Sequence, residues 1–379
     1  MAIKVAICAA TLDHPKSGGH QWVYLNWALG LREIGCEVVW LEGVRPETPP
    51  EKLSEYVEIW KNHLDRYGFS KALGLYSRSS IGEPLPHVSV PGLLDLEVTF
   101  DADLLLNLAY IVPSWLVSRF KRSALVDIDP GLTQIWFSAG DLRIVPHDIY
   151  FTIGETVGRA GALFPDCGLR WHYTRPAIFL PEWHVAKAND DAPFSTITGW
   201  WDEGWVEFET ERYSNVKRDG FVPFFSLPKY VSQSLELSVP EETGVLEEKQ
   251  ALLDHGWQIK DSFETCSTPW DYQGYIQRSR GEFSCARPSY VRLQNAWISD
   301  RTLCYLASGK PAIVQHTGPS RFLPDNEGLF RFRDMDEAVR CLEAAAADYD
   351  NHCKSARALA EEYFDAEKVA KQLLEQALT

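Results

Sequence analysis

The 379-residue chain holds eight cysteines, yet no two of them form a C-x-x-C pair. Zinc ribbons and compact disulfide frameworks need closely spaced cysteines, so this scatter argues against both. Cys8, Cys36, Cys167, Cys266, Cys285, Cys304, Cys341 and Cys353 lie mostly in apolar segments. A free thiol there behaves as a small hydrophobe, and a reducing cytoplasm suits it. No apolar run approaches the roughly 18–20 residues that a membrane helix needs. The opening MAIKVAICAATLDHPKSGG lacks a small-residue cleavage site and runs into a glycine turn, which reads as a buried first strand rather than a signal peptide. Basic clusters are missing as well: 37 Lys and Arg stand against 53 Asp and Glu, a net charge of −16. Polyanion binding by counterion release needs grouped cations, so nucleic acid is disfavoured as a partner. A diphosphate is not disfavoured, because two or three local cations and backbone N–H groups suffice. The dinucleotide fingerprint G-x-G-x-x-G is also absent, since Ser17-Gly18-Gly19-His20 offers only adjacent glycines. That argues against a Rossmann oxidoreductase.

What remains is an ordinary globular composition, 45% hydrophobic and 24% charged, in a chain long enough for two cores. Residues 3–10 (IKVAICAA) suit a buried parallel strand. Val23, Trp27, Leu31 and Ile34 then recur at helical spacing, which predicts one apolar face, and Gly35 is placed to end that helix before the strand CEVVWLEG. Strand, loop, helix and strand make a βαβ unit. Residues 52–66 read as a helix, and 102–112, 123–130 and 147–155 as strands. The stretch 165–194, rich in Pro, Trp and His, reads as an interdomain connection, and a second α/β domain opens at 194. There 241–255 and 299–308 read as helices and 311–315 as a strand, before a strongly helical tail from 335 onward.

The segment 281–330 carries the most chemistry. In an open parallel sheet, ligands sit at the carboxyl ends of strands, where helix N-termini offer free N–H groups to phosphate. Gly281-Glu282-Phe283-Ser284 is a strand-to-turn element for such a rim, and Ser284 is either a phosphate ligand or a plain turn residue. Arg301, in the first turn of the next helix, either clamps a diphosphate or bridges its neighbour Asp300. Glu282 beside a diphosphate would be repulsive, so it accepts hydrogen bonds from a sugar or backbone, or is an ordinary loop carboxylate. Lys310 reads as a surface residue rather than a phosphate ligand.

The order helix, L-A-S-G-K-P, strand, Thr-Gly turn, G-L-F strand and D-x-D-E-A, followed by A-R-x-L-A-E-E-Y-F, resembles the donor side of the GT-B glycosyltransferases. The resemblance implies two Rossmann-like α/β domains facing across a cleft. Residues 1–190 would bind acceptor and 194–355 the nucleotide sugar, with 356–379 packing back on the N-domain. It implies transfer from a nucleoside-diphosphate sugar, most often a UDP-sugar, with no resident cofactor and no metal. Glu282, Ser284, Arg301, Thr317 and Gly318 would line the donor site. The segment GGHQWVYLNWALGLREIGCEVVWL also looks like the opening of inverting, plant-type members of the family. Gly19 would then border the donor and His20 would be the base that deprotonates the acceptor. The carboxylate orienting His20 would be Asp127, Asp129 or Asp103, with Asp129 preferred for its place at a strand's carboxyl end. The Glu-x7-Glu pair of many retaining relatives is missing: its second place is Cys304 and its first falls near Ala296 and Trp297.

Loop aromatics add an acceptor surface, for which Trp200, Trp201 and His172 are candidates, although filling a gap in the core is the commoner use of a tryptophan. The D-x-D runs at Asp101-Ala102-Asp103 and Asp127-Ile128-Asp129 superficially match a manganese-binding motif of single-domain glycosyltransferases, but the GT-B family resembled here generally works without a metal, so none is expected. Three rival readings keep the same fold: a nucleotide-sugar-binding protein without transfer activity, a nucleotide-sugar epimerase, and a glycosyltransferase acting on DNA or nucleosides.

Overall fold

A computed structural model of the chain describes residues 2–201, 204–241 and 246–379, and with them two compact α/β units. The first comprises Met1–Gly154, Pro165–Phe179 and Ala366–Thr379, and the second Glu155–Phe164 and Leu180–Asp365. The chain thus passes between units more often than one break near residue 190 allows.

The first unit is built on seven parallel strands: β1 (Lys4–Ala9), β2 (Glu37–Val44), β3 (Leu73–Ser77), β4 (Leu104–Asn107), β5 (Ser123–Asp127), β6 (Ile149–Thr152) and β7 (Trp171–Tyr173). Their order is β3-β2-β1-β4-β5-β6-β7, so the sheet reverses direction of growth between β1 and β4. Apart from β7, these strands are near-continuous apolar runs, as a sheet covered on both faces requires. The stretch read as an interdomain connection supplies β7, paired to β6 from Tyr150↔Trp171 to Thr152↔Tyr173. Three residues carry too little periodicity to announce a strand.

The helix Gly18–Glu33 departs from the single apolar face expected of it. It is buried from Gln21 through Leu31 except at Val23, and Ile34 is only half-buried. A helix apolar nearly all round is one covered nearly all round. Its second cover is the C-terminal helix Ala366–Ala377: a Cβ on Gly30 would stand 2.6 Å from that of Ala366, so glycine permits the approach. Gly35 ends the helix at φ 91°.

The second unit has a six-stranded parallel sheet of β8 (Phe194–Ile197), β11 (Leu235–Val239), β12 (Gln258–Asp261), β13 (Gly281–Ser284), β14 (Ala312–Gln315) and β15 (Leu329–Phe332). A hairpin of β9 (Trp205–Phe208) and β10 (Glu211–Ser214) follows β8. The order β12-β11-β8-β13-β14-β15 repeats that of the first six strands of unit one, so this sheet reverses between β8 and β13. Its core is aromatic, with Phe283 stacked on Phe332 at 5.1 Å and Trp200, Phe221, Phe224 and Trp257 around them. Of the helix expected over 241–255, Leu246–His255 is present, and 242–245 lie outside the described residues. Ser299 caps the helix Asp300–Ala307, accepting from the Arg301 N–H, and Gly309 ends it at φ 68°. The tail is helical as expected, in successive pieces: Met335–Ala347, then Tyr349–Leu359, a π turn at Ala360–Phe364, and Ala366–Ala377. Lys310 is no surface residue. It is fully buried, its Nζ has no hydrogen-bond partner among the described residues, and burial pushes its amine down to about 8.

Candidate functional site

In the second unit, β13 presents Glu282 and Ser284, two residues apart and therefore on one face of the sheet. The helix Asp300–Ala307 brings Arg301 to the same face. Its Nε donates to Glu282 at 2.8 Å, its Nη1 to the Ile197 carbonyl at 3.0 Å, and its Nη2 to the Ser284 hydroxyl. The guanidinium therefore ties the carboxyl ends of β8 and β13, where the sheet reverses. Arg301 pairs with Glu282 and not with Asp300, and Glu282 is a fully buried strand residue instead of a loop carboxylate. One oxygen of Glu282 has no partner among the described residues. A guanidinium has five N–H donors; three are engaged here with described residues, and two remain.

Sequence reasoning missed Lys217. This lysine is buried at the start of the helix Lys217–Phe221, and its amine is pushed down to about 7. Loss of solvent is the largest cause, followed by the charges of Arg301 and Arg287, against which Cys285 and Glu282 act. Gly220 seats that helix on the turn after β13, since a Cβ there would lie 2.0 Å from the Ala286 carbonyl oxygen. Lys217 occupies the place in the second sheet that His20 occupies in the first, the opening of the helix after the strand at the reversal. The β9–β10 hairpin inserted between β8 and Lys217 hides that correspondence in the sequence.

Ser284 and Thr317 share a small cavity with Ala286, Trp297, Ser299 and Thr302. The Thr317 hydroxyl donates to the Trp297 carbonyl at 2.6 Å, and the Thr317 carbonyl accepts from the Ala296 N–H at 2.9 Å. Gly318 is required by the backbone: at φ 128° its Cβ would lie 2.6 Å from the Gln294 carbonyl oxygen. It fixes the cavity wall and offers no side chain of its own.

In the first unit, Glu42 on β2 is fully buried and accepts from the Thr11 and Leu12 N–H groups and from Trp40 Nε1, so it fastens the loop after β1. Burial raises its pKa. Gly19 and His20 stand in the first turn of the following helix. His20 Nε2 lies 3.0 Å from the Ala10 carbonyl. A carbonyl only accepts, so Nε2 carries the proton and Nδ1 is the basic nitrogen. Burial, then His14, pushes the imidazole down to about 4.

His20 is shifted by burial, His14, Ala10 and Asp13, with Asp129 not among the causes. Its rings and charges of contact are His14, Tyr24 and Asp13, and Asp13 pairs with Arg78 at 2.6 Å. Asp127 is buried and accepts from Gln134 and Thr152, each at 2.8 Å, and from Tyr110 at 3.1 Å. Tyr110 in turn accepts the N–H groups of Ile128 and Asp129. The Asp127 carboxylate and the Tyr110 hydroxyl thus hold the turn after β5 through the Asp129 N–H. Asp103 accepts from the Lys4 N–H at the opposite, amino end of the sheet.

Of the acceptor candidates, Trp200 is a core residue, fully buried, stacked on Phe225 and bonded through Nε1 to Glu248. Trp201 is exposed, with the Arg218 guanidinium 5.1 Å above its ring. His172 is half-buried on β7 against Phe151. All eight cysteines are free. Among the described residues no three His, Cys, Asp or Glu side chains gather as a metal would require, and no helix is long and apolar enough to cross a membrane.

No protein-family model matches the chain, and no curated protein matches its sequence. Its fold, in contrast, has solved counterparts. An alpha-glucosyltransferase in complex with UDP-glucose and DNA containing an abasic site superposes with a TM-score of 0.63 at 10% identity, covering 100% of both chains. The pneumococcal O-GlcNAc transferase GtfA, in complex with UDP and GlcNAc, gives 0.58 at 8% identity over 99% of this chain and 98% of that one. AviGT4, a glycosyltransferase involved in avilamycin A biosynthesis, gives 0.53 at 12% identity over 99% and 97%. At such identities the likeness establishes a fold: mixed α/β with two parallel sheets, shared with these transferases.

Proposed function

We propose that the chain is a GT-B glycosyltransferase that moves a sugar from a nucleoside-diphosphate sugar, a UDP-sugar first among them, to an acceptor hydroxyl. The observation that carries this reading is the gathering of Lys217, Arg287 and Arg301 with Ser284 at the reversal point of the second sheet. Loss of a diphosphate leaving group concentrates negative charge on its oxygens. A buried ammonium and the two remaining guanidinium N–H groups meet that charge where little water screens it. Glu282 serves by holding Arg301 in place, a positioning role. Thr317, on the wall of that small cavity, then borders the sugar.

On this reading the first unit holds the acceptor, and His20 takes the acceptor proton through Nδ1, giving inversion at the anomeric carbon. Cys304 and Ala296, where many retaining relatives have glutamates, leave that route without its carboxylates. The same absence favours a second reading, a nucleotide-sugar-binding protein without transfer.

The test is a thermal-shift panel of UDP, GDP, dTDP, ADP and NAD on the full chain, followed by assay of nucleotide release from the matching sugar nucleotide. Specific binding raises the unfolding free energy by about 2.7 kcal/mol at 100 times Kd. One nucleoside diphosphate should stabilise the chain, Lys217→Met should abolish the shift, and EDTA should leave turnover unchanged. A shift with NAD alone would refute the proposal, while binding without release of nucleotide would select the second reading.

A further inference from the structure

A cavity of about 560 Å³ lies in the first unit at the carboxyl end of β3, and its Tyr76 stands beside Arg78, the partner of Asp13 in the loop that precedes His20. Its roof is the irregular segment 78–96, too long for a plain connection and pinned along its length. Trp115 Nε1 donates to the Ser79 carbonyl at 2.8 Å, the Ser89 N–H to Ser54 Oγ at 3.2 Å, and Lys61 reaches the Pro91 carbonyl. Leu94 closes back on β3 through its N–H to Leu73. Long loops packed down in this way commonly serve function.

The walls are mainly apolar, with Leu75, Leu85, Val88, Leu94, Leu96 and Trp115 among them. The polar groups are few: Ser77, Glu83, His87 and Tyr76. Tyr76 is buried, with its hydroxyl beside the Cys8 thiol and no oxygen or nitrogen partner among the described residues. No Lys or Arg lines the cavity, which excludes a phosphate or a nucleic acid as its occupant. A bare sugar would need a denser array of hydrogen-bonding groups than four side chains supply. The volume falls in the range of small-molecule sites.

We propose that this cavity takes the apolar ring system of a neutral, hydroxylated acceptor, an assignment that rests on the transferase reading. The roof segment then sets which ring systems enter, and Trp115 gives them an aromatic face.

The probe is 2-naphthol, measured by calorimetry against the full chain, with glucose and a short DNA duplex as competitors of other classes. 2-Naphthol should bind, glucose and duplex should not, and Leu85→Trp, which fills the space from the half-buried roof, should weaken binding at least tenfold. Glu83→Arg, on the exposed roof, should preserve binding of this neutral probe. With a UDP-sugar that turns over, Leu85→Trp should raise the KM for 2-naphthol and leave that of the donor unchanged. The UDP-induced melting shift of Leu85→Trp reports its folding independently. Unchanged 2-naphthol affinity in a folded Leu85→Trp chain, or binding of duplex in preference to 2-naphthol, overturns the assignment. Loss of 2-naphthol binding in a Leu85→Trp variant that keeps the parent's unfolding midpoint, in a chain that ignores every nucleotide, keeps the cavity and discards the transferase reading.

Discussion

Arg301 donates from Nε to Glu282 at 2.8 Å, and the carboxylate it reaches has no exposed surface at all. Removing one partner of such a pair leaves the other charge buried without compensation, at a cost of about 3–5 kcal/mol. Glu282→Gln keeps the shape and removes only the charge, so its unfolding free energy should fall by that amount, read as a lower denaturation midpoint at an unchanged m-value. UDP should recover part of the loss, because a diphosphate would supply the missing anion beside Arg301. A midpoint equal to that of the parent chain would show that Glu282 is not the residue that neutralises Arg301.

Lys217 gives a pH signature. Its amine titrates at about 7 in the free protein, so above that pH it is mostly neutral and a diphosphate must recruit a proton to bind. Affinity for UDP-glucose should therefore be full below pH 7 and fall as pH rises, by up to tenfold per unit. UDP-glucose is the better ligand here, since its diphosphate diester has no ionisation near neutrality to confuse the slope. Lys217→Met should bind weakly with a flat profile from pH 6 to 9. A parent chain whose affinity is flat over that range would remove Lys217 from the site.

The outline of the fold was legible, and the reasons can be read in particular residues. Long apolar runs such as Lys4–Ala9 and capped helices such as Asp300–Ala307 announce themselves locally. The Gly309 turn does so as well, because only a residue tolerant of positive φ ends the helix there. What was hidden depends on distant partners. Glu282 reads as a loop acid until β14 and β8 close over it on either side. Trp200 reads as a loop aromatic until Phe225 and Glu248 take it into the core. Asp129 stands out in the sequence for its place at the end of β5, but only the fold shows that Tyr110 and Asp127 shape that turn and that His20 faces Ala10. Lys217 sits in a run of charged residues, Lys217-Arg218-Asp219, that resembles a solvated surface, and the hairpin before it breaks the spacing.

His20 predicts an acid-labile step. In the folded chain its imidazole stays neutral down to about pH 4, whereas the unfolded chain takes up that proton near the ordinary value of about 6.5. Its contribution to stability is therefore complete above pH 6.5 and is lost as pH falls toward 4, at no more than about 1.4 kcal/mol per unit. Urea midpoints at pH 7 and pH 5 should drop further in the parent than in His20→Gln. If His20 is also the base, the acid limb of turnover lies near pH 4 to 5 instead of 6.5. Equal drops in the two chains would show that His20 is no more buried than a surface histidine.

Gly220→Ala tests the seat of the cationic cluster without touching a charge. A methyl at residue 220 would be driven to 2.0 Å from the Ala286 carbonyl oxygen, and backbone does not give way as a flexible side chain does. The helix Lys217–Phe221 must therefore move off the turn after β13, carrying the lysine away from Arg287 and Arg301. Overpacking of this kind costs about 1–3 kcal/mol, which should leave the chain folded and measurable. UDP-glucose affinity should nevertheless fall at least tenfold, and the Lys217 titration should move back up from about 7 because Arg301 and Arg287 no longer oppose its charge. That second readout separates displacement of the lysine from a general loss of stability. A folded Gly220→Ala chain that binds UDP-glucose like its parent would mean that Lys217 and the turn after β13 do not act on one ligand.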